Sequence, residues 1–254
     1  MKNISKKIIN FNQNKEKIVI PVKEKKYLSV IDGYKIQNEI YKYHSKFEKY
    51  NSWKIGCTTK VMQEYLKIPS PCLGRVMKKE SFEGNSDVDY DSYIRPGVEC
   101  EIAVILSENF DYQNIENNHN SIIEKVVPSI EIVDDRWPNY KNENTPILIA
   151  DNFFASSLVF GRGLELDDLD ELKNLRGKMY INNKVIGEGI GQDILGDPLN
   201  ALDWFLNFDF FPDNHPRAGD LISLGSLVET QWVQKNDKIK VEIEKIGSVE
   251  VKFS

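Results

Sequence analysis

No stretch of this 254-residue chain is long and apolar enough for a membrane span. Its typical local maximum, Ile102 to Leu106, falls far short of the ~18 residues such a helix needs. A basic excess is missing as well: 33 Lys plus Arg face 39 Asp plus Glu, a net charge of −6, so the electrostatic footprint of a nucleic-acid surface is absent. Cysteine is scarce. Cys57, Cys72 and Cys100 are odd in number and make no CxxC pair, which argues against a disulfide framework or a zinc knuckle and makes a reducing cytoplasm the natural compartment. The three histidines, His44, His119 and His215, have no metal-ligand spacing and read as surface or packing residues. No G-x-S-x-G nucleophile elbow occurs. Gly187, Gly189 and Gly191 fail the dinucleotide fingerprint because Gln192 stands where its third glycine belongs, and no P-loop Lys-Ser/Thr follows. Asp87, Asp89 and Asp91 begin like a calcium loop, but Ser92 and Val98 occupy the positions that need glycine and glutamate.

What is present suggests a soluble α+β protein, 41% hydrophobic and 28% charged. The first 26 residues carry eight lysines against two glutamates, without the apolar stretch of a secretory signal or the arginines of a transit peptide. Residues 1–28 are therefore expected to be a solvated lead-in. Helical spacing of Ile31, Tyr34, Ile40, Tyr41 and Phe47 predicts a helix from Ser29 to about Tyr50, and a second is expected over Thr58 to Leu66, before Pro69. Ser81 to Tyr93 reads as a loop. Beyond a soft boundary near residue 90, short Val- and Ile-rich runs predict strands: Glu99–Leu106, Ser129–Val133, Leu158–Gly161, Lys178–Ile186, Leu221–Leu227 and Lys238–Phe253. A helix over Pro198–Leu206 interrupts them, with proline in its first turn. The Asn-rich stretch Asn114 to Asn120 reads as an exposed loop, and no internal repeat is visible.

The informative segment is Arg95 to Leu106. Side chains alternate faces along a strand, so Glu99 and Glu101 point the same way, about 7 Å apart, opposite Cys100 and Ile102. Glu131 repeats the anomaly between Ile130 and Ile132. Carboxylates crowded on apolar strands repel one another and are costly to bury alone. Water, a lysine or a hard oxygen-seeking cation such as Mg²⁺ or Mn²⁺ resolves that conflict. Alternating glutamates on a solvent-facing strand satisfy the same pattern.

The order of motifs adds to this. Tyr34-Lys-Ile-Gln37, Trp53-Lys-Ile-Gly-Cys-Thr58, Arg95-Pro-x-Val-Glu-x-Glu-Ile-Ala103, Glu131-Ile-Val-Asp-x-Arg136 and Ile149-Ala-Asp-Asn152 run in sequence. Leu195-Gly-Asp-Pro-Leu-Asn-Ala201, Ala218-Gly-Asp220, Gly225-Ser226 and Gly247-Ser-Val-Glu-Val-Lys-Phe253 complete the series. Together they resemble the 2-oxo-4-pentenoate hydratase / 2-oxo-3-hexenedioate decarboxylase family of the fumarylacetoacetate hydrolase superfamily. The resemblance implies a helical N-terminal region (29–90) packed on a mixed β-roll catalytic domain (91–254). It implies Mg²⁺ or Mn²⁺ held by Glu99, Glu101 and Glu131, Lys54 in the place of the family's active-site lysine, and a small 2-oxo acid chelated through its carboxylate and 2-oxygen. It also implies a cytoplasmic homo-oligomer, with no nucleic-acid or membrane partner, that can pair with a related hydratase or decarboxylase. Arg136, Phe154, Leu224 and Ser226 fall at substrate-binding positions of the family.

Three polar positions depart from the family pattern. Cys72 stands for an aspartate, Phe154 for a serine and Leu224 for a threonine. Each change removes an oxygen ligand or proton carrier, although Cys72 is a candidate substitute acid/base. The implied chemistry is enolate stabilisation by the cation, followed by hydration or decarboxylation. An acylpyruvate-type C–C hydrolase and a non-catalytic metal-binding member are the competing readings.

Overall fold

The computed structural model describes residues 2–115, 118–209 and 214–254. These residues form seven α-helices and twelve strands. The helices are α1 (Lys2–Gln13), α2 (Val22–Lys25), α3 (Val30–His44), α4 (Lys60–Leu66), α5 (His119–Ile122), α6 (Thr145–Ala150) and α7 (Pro198–Leu206). The strands are β1 (Tyr50–Gly56), β2 (Cys72–Met77), β3 (Ser81–Glu83), β4 (Ser86–Val88), β5 (Pro96–Leu106), β6 (Ile123–Asp134), β7 (Ala155–Phe160), β8 (Arg176–Ile181), β9 (Lys184–Ile190), β10 (Leu221–Trp232), β11 (Lys238–Ile243) and β12 (Gly247–Phe253).

Two mixed sheets form from them. The seven-stranded sheet has the order β2-β1-β10-β5-β6-β7-β3 and the five-stranded sheet β4-β12-β11-β8-β9. β1–β10, β3–β7 and β4–β12 are parallel, and the remaining pairs antiparallel. Alternation divides the long strands between two apolar clusters. Val98, Cys100, Ile102 and Val104 with Ile130 and Ile132 enter the main core, which also holds Val241, Val249, Val251 and Phe253 of the smaller sheet. Ala103, Val127, Ala155, Leu158, Leu221 and Val76 form a second cluster on the opposite face. This is the expected α+β architecture, helices packed on a curled mixed sheet.

The sheet curls until β2 meets the start of β7. A Cβ on Gly74 would lie 2.8 Å from both the Ala155 Cβ and the Asn152 carbonyl oxygen, so only glycine allows this approach. Asn152 closes the seam with its side chain. Its Oδ1 accepts from the Arg75 amide at 2.9 Å and its Nδ2 donates to the Arg75 carbonyl at 2.7 Å. Asn152, Phe153 and Phe154 all have left-handed backbones (φ 61°, 48° and 63°), strain held by surrounding contacts. Asn152→Gly keeps that backbone accessible but removes both bonds. It is expected to lower stability by about 1–3 kcal/mol in urea denaturation and to accelerate amide exchange at Arg75. Unchanged exchange there would refute the seam.

Several elements differ from expectation. The lysine-rich start is a docked helix rather than a solvated lead-in, because Ile4, Ile8 and Ile9 recur on one face and are buried, followed by buried Ile18 and Ile20. α3 stops at His44, six residues early, since Tyr50 opens β1. β1 and β2 lie inside the stretch expected to be helical, and β1 hydrogen-bonds directly to β10. Ser81–Tyr93 contains two three-residue strands rather than only a loop. Lys178–Ile186 is split by a turn at Asn182 and Asn183, both with positive φ, and the last run is split at Lys245. In the Asn-rich stretch, residues 116 and 117 lie outside the described residues, and His119 opens α5.

Candidate active site

The β5–β6 register sets Glu99 directly opposite Glu131 and Glu101 opposite Ser129. All three glutamates share the inner face of the curl, and one ligand oxygen from each lies within 4.8 Å of the others. Glu101 and Glu131 are buried and Glu99 is half-buried, so the solvent-facing alternative for these alternating glutamates does not apply.

Adjacent strands supply the partners. β1 brings Lys54 level with Ser223 of β10, and the Lys54 Nζ sits 3.0 Å from the Glu131 Oε1. Ser223 donates to Glu101 Oε2, and Thr230 donates to Glu99 Oε1. Two glycines leave room for the lysine: a Cβ on Gly74 would come 3.0 Å from the Lys54 Cε, and one on Gly56 would come 3.3 Å from its Nζ. The Phe153 ring centroid lies 4.9 Å from the same ammonium, a cation–π contact.

The charges do not balance. Three carboxylates against one ammonium leave a double negative excess when all are ionised, and Glu101 Oε1 and Glu131 Oε2 find no hydrogen-bond partner. Burial, with the neighbouring carboxylates Glu131 and Glu99, pushes Glu101 well above the usual carboxylate range. Burial likewise pushes Glu131 up to about 7, against the pull of Lys54. Burial works to lower the Lys54 pKa, but the facing carboxylates, Glu131 foremost, outweigh it and hold the ammonium above its ordinary value. Orphaned buried oxygens with surplus negative charge fit a hard divalent cation.

A pH dependence follows with a definite sign. A carboxyl whose folded pKa is raised contributes stability that is complete below its unfolded value and lost as pH rises through its folded one. In the presence of a chelator the melting temperature should therefore fall from about pH 4.5 to pH 7, the window set by Glu131, and decline further through Glu101. Thermal melts at pH 5, 6, 7 and 8 test this, and a flat profile would contradict the burial.

The other sequence candidates are placed differently. Cys72, at the start of β2, is buried, and its thiol is pushed well up, first by its hydrogen bond to Cys57 and then by burial. Arg136 is buried and fully engaged: its Nε donates to Asp151 Oδ2 at 3.0 Å, and its other nitrogens donate to the carbonyls of Asp151 and Ala155. The aspartates acting on it are Asp151, Asp134 and Asp135, not the clustered glutamates. Leu224 is fully buried in the main core. Ser226 spends its hydroxyl on the Val228 carbonyl at 2.6 Å. Phe154 is half-buried against Tyr140, ring centroids 5.4 Å apart.

The profile of the fumarylacetoacetate (FAA) hydrolase C-terminal family matches residues 63–254. The chain belongs to this family. It is 31% identical to 2-keto-4-pentenoate hydratase 1 of Dechloromonas aromatica (strain RCB) over 207 residues, 79% of this chain and 76% of that protein. It is 27% identical to 2-oxo-hept-4-ene-1,7-dioate hydratase of Escherichia coli over 235 residues, 89% and 87% of the two chains. Its fold matches that of 4-oxalocrotonate decarboxylase from Pseudomonas putida G7, a structure complexed with magnesium and adipate. The TM-score is 0.88 at 24% identity, with 99% of this chain and 96% of that chain covered.

Within this member of the fumarylacetoacetate hydrolase C-terminal family, several matched motif residues make structural hydrogen bonds instead of facing the three clustered glutamates. The Trp53 Nε1 donates to Asp220 at 3.1 Å, and Gln37 donates to the carbonyls of Leu73 and Ile149. Tyr34 accepts from the Leu73 amide. Sequence reasoning missed Ser223, Thr230 and Phe153. Ser223 was findable, being a lone hydroxyl among Leu221, Ile222 and Leu224. Nothing local marks Thr230.

Proposed function

We propose that this chain is a divalent-metal-dependent lyase acting on a 2-oxo acid or its dienol tautomer. The reaction is either hydration of a 2-hydroxydienoate to a 4-hydroxy-2-oxo acid or decarboxylation of a 2-oxo-3-enedioate. The observation that carries this reading is the Glu99–Glu101–Glu131 cluster, buried at Glu101 and Glu131, with two oxygens left unpartnered beside Lys54. The named hydratases and the decarboxylase support it, and they do not favour the acylpyruvate hydrolase reading.

In this proposal Glu99, Glu101 and Glu131 hold Mg²⁺ or Mn²⁺, which when bound supplies a positive centre for the negative charge that builds on the 2-oxo oxygen. Ser223 and Thr230 fix one oxygen each of Glu101 and Glu99, so the carboxylates need little reorganisation. Lys54 carries the proton to and from the substrate's carbon chain. It is buried and anchored at Glu131, and Phe153 covers it from solvent. Cys72, with its thiol held protonated, is a secondary donor. Arg136 and Ser226 serve the site by fixing its walls, while Phe154 makes it less polar and Leu224 packs behind it in the main core.

No helix among the described residues is long and apolar enough to cross a membrane. A cytoplasmic homo-oligomer, able to pair with a related hydratase or decarboxylase, completes the proposal; light scattering of the purified chain tests the assembly.

The deciding assay offers the chain, with Mg²⁺ or Mn²⁺, 2-hydroxypenta-2,4-dienoate, 2-oxo-3-hexenedioate and an acylpyruvate, with ultraviolet absorbance and CO₂ followed. Metal-dependent loss of the dienol band, or release of CO₂, is the expected result. Cleavage of the acylpyruvate alone, or no turnover with metal bound, would overturn it.

A further inference from the structure

An arc of aromatic rings runs from Lys54 to Glu99 around the carboxylates. Phe153 lies against the Lys54 ammonium, and Phe154 follows with its ring centroid 5.6 Å from that of Phe153. Tyr140 comes next, 5.4 Å from Phe154, and then Trp232 at 6.5 Å from Tyr140. Trp232 packs over Gly97, where an added Cβ would sit 2.9 Å from its ring, and Gly97 shares the strand face that carries Glu99 and Glu101. The arc grades outward, from Phe153 at 6% exposure to Trp232 at 37%.

Among the described residues, the cations stacked on these four rings are Lys54 and Arg95, and the charge of each is already matched by a carboxylate. Lys54 pairs with Glu131, and Arg95, stacked 4.0 Å over Trp232 and still 47% exposed, turns its Nη1 to the buried Asp135 at 2.9 Å. We infer that the site selects 2-oxo acids whose far end is an uncharged, apolar or conjugated tail, lying along this arc, over those that end in a second carboxylate. A terminal carboxylate would lose its hydration against ring faces that repel negative charge, while planar conjugated carbons stack on them.

This inference rests on the proposed active site and also selects between its two reactions. A substrate without a distal carboxylate has no CO₂ to lose there, so water addition remains. The enol proton leaves oxygen and a proton is delivered to C5, giving the 2-oxo-3-enoate. Water then adds its oxygen at C4 and a proton at C3, and nothing else is consumed.

Calorimetric titration in Mg²⁺ with 2-oxohexanoate and 2-oxoadipate, equal in chain length, tests the binding preference. The tailed monoacid should bind at least about tenfold more tightly. In parallel, Phe154→Ser should lower the ratio of kcat/KM for 2-hydroxyhexa-2,4-dienoate to that for 2-hydroxypenta-2,4-dienoate about tenfold. Equal or tighter binding of 2-oxoadipate, or preferred turnover of 2-oxo-3-hexenedioate, would overturn the inference yet leave the metal-dependent lyase standing. Failure of both acids to bind, with no turnover of any dienol, would remove the active site and the inference together.

Discussion

Glu101→Gln is expected to stabilise the metal-free protein while abolishing its turnover. Glu101 is buried, its Oε1 is unpartnered, and burial together with Glu131 and Glu99 opposes its ionisation. A neutral amide of the same shape removes that conflict and still accepts from Ser223. Each kcal/mol relieved raises the melting temperature of a domain this size by about 2–4 °C. The same charge is what a divalent cation needs. Loss of one ligand of three should cost several kcal/mol of transition-state stabilisation, on the order of a thousandfold in kcat. Differential scanning calorimetry at pH 8, with and without Mg²⁺, reads both halves: the variant starts higher than the parent and gains nothing from the ion. A Mg²⁺-dependent gain equal to the parent's would exclude Glu101 as a ligand.

Lys54→Met should move metal affinity and turnover in opposite directions. The ammonium competes with a cation for Glu131, from 3.0 Å away. Removing a unit charge at such range, at an effective dielectric constant of ~20, is worth more than the ~1.4 kcal/mol that changes an equilibrium tenfold. Metal affinity at pH 9 should therefore rise about tenfold or more. Loss of the proton carrier should meanwhile lower kcat by about 10²–10⁴. The metal-free variant should also melt early, since breaking a buried pair leaves an uncompensated charge that costs about 3–5 kcal/mol, and added Mg²⁺ should restore it. Turnover within tenfold of the parent would remove Lys54 from the chemistry.

These residues were unequally visible in the sequence. Glu99, Glu101 and Glu131 stood out because a two-residue period put each among apolar neighbours, and that period is a property of any strand. Lys54 carried no local signal; only its setting in Trp53-Lys-Ile-Gly56 drew notice. β1 escaped detection because four consecutive buried residues, Ser52 to Ile55, erase the alternation that marks a half-exposed strand. α1 was hidden by its lysines, although Ile4 and Ile8 share its buried face. Asn182 and Asn183 lie inside the strand that the Val- and Ile-rich pattern predicts, yet Asn tolerates the positive φ such a hairpin turn requires. Ser226 and Arg136 were legible as residues but not as contacts, since their partners, the Val228 carbonyl and Asp151, emerge only once the chain is folded.

The order β2-β1-β10-β5 places the latest of these four strands between two earlier neighbours. During synthesis, Lys54 and Glu101 therefore reside on separate half-sheets until the segment Leu221–Trp232 has left the ribosome. Both β1 and β5 present bare backbone edges throughout that interval, the condition under which nascent chains stick to one another or to chaperones. A cation has no assembled carboxylate-and-hydroxyl nest to enter before then. Truncation anywhere ahead of residue 221 thus leaves β1 and β5 without the strand that pairs with both, held together only across the β2–β7 seam, rather than a weakened catalyst.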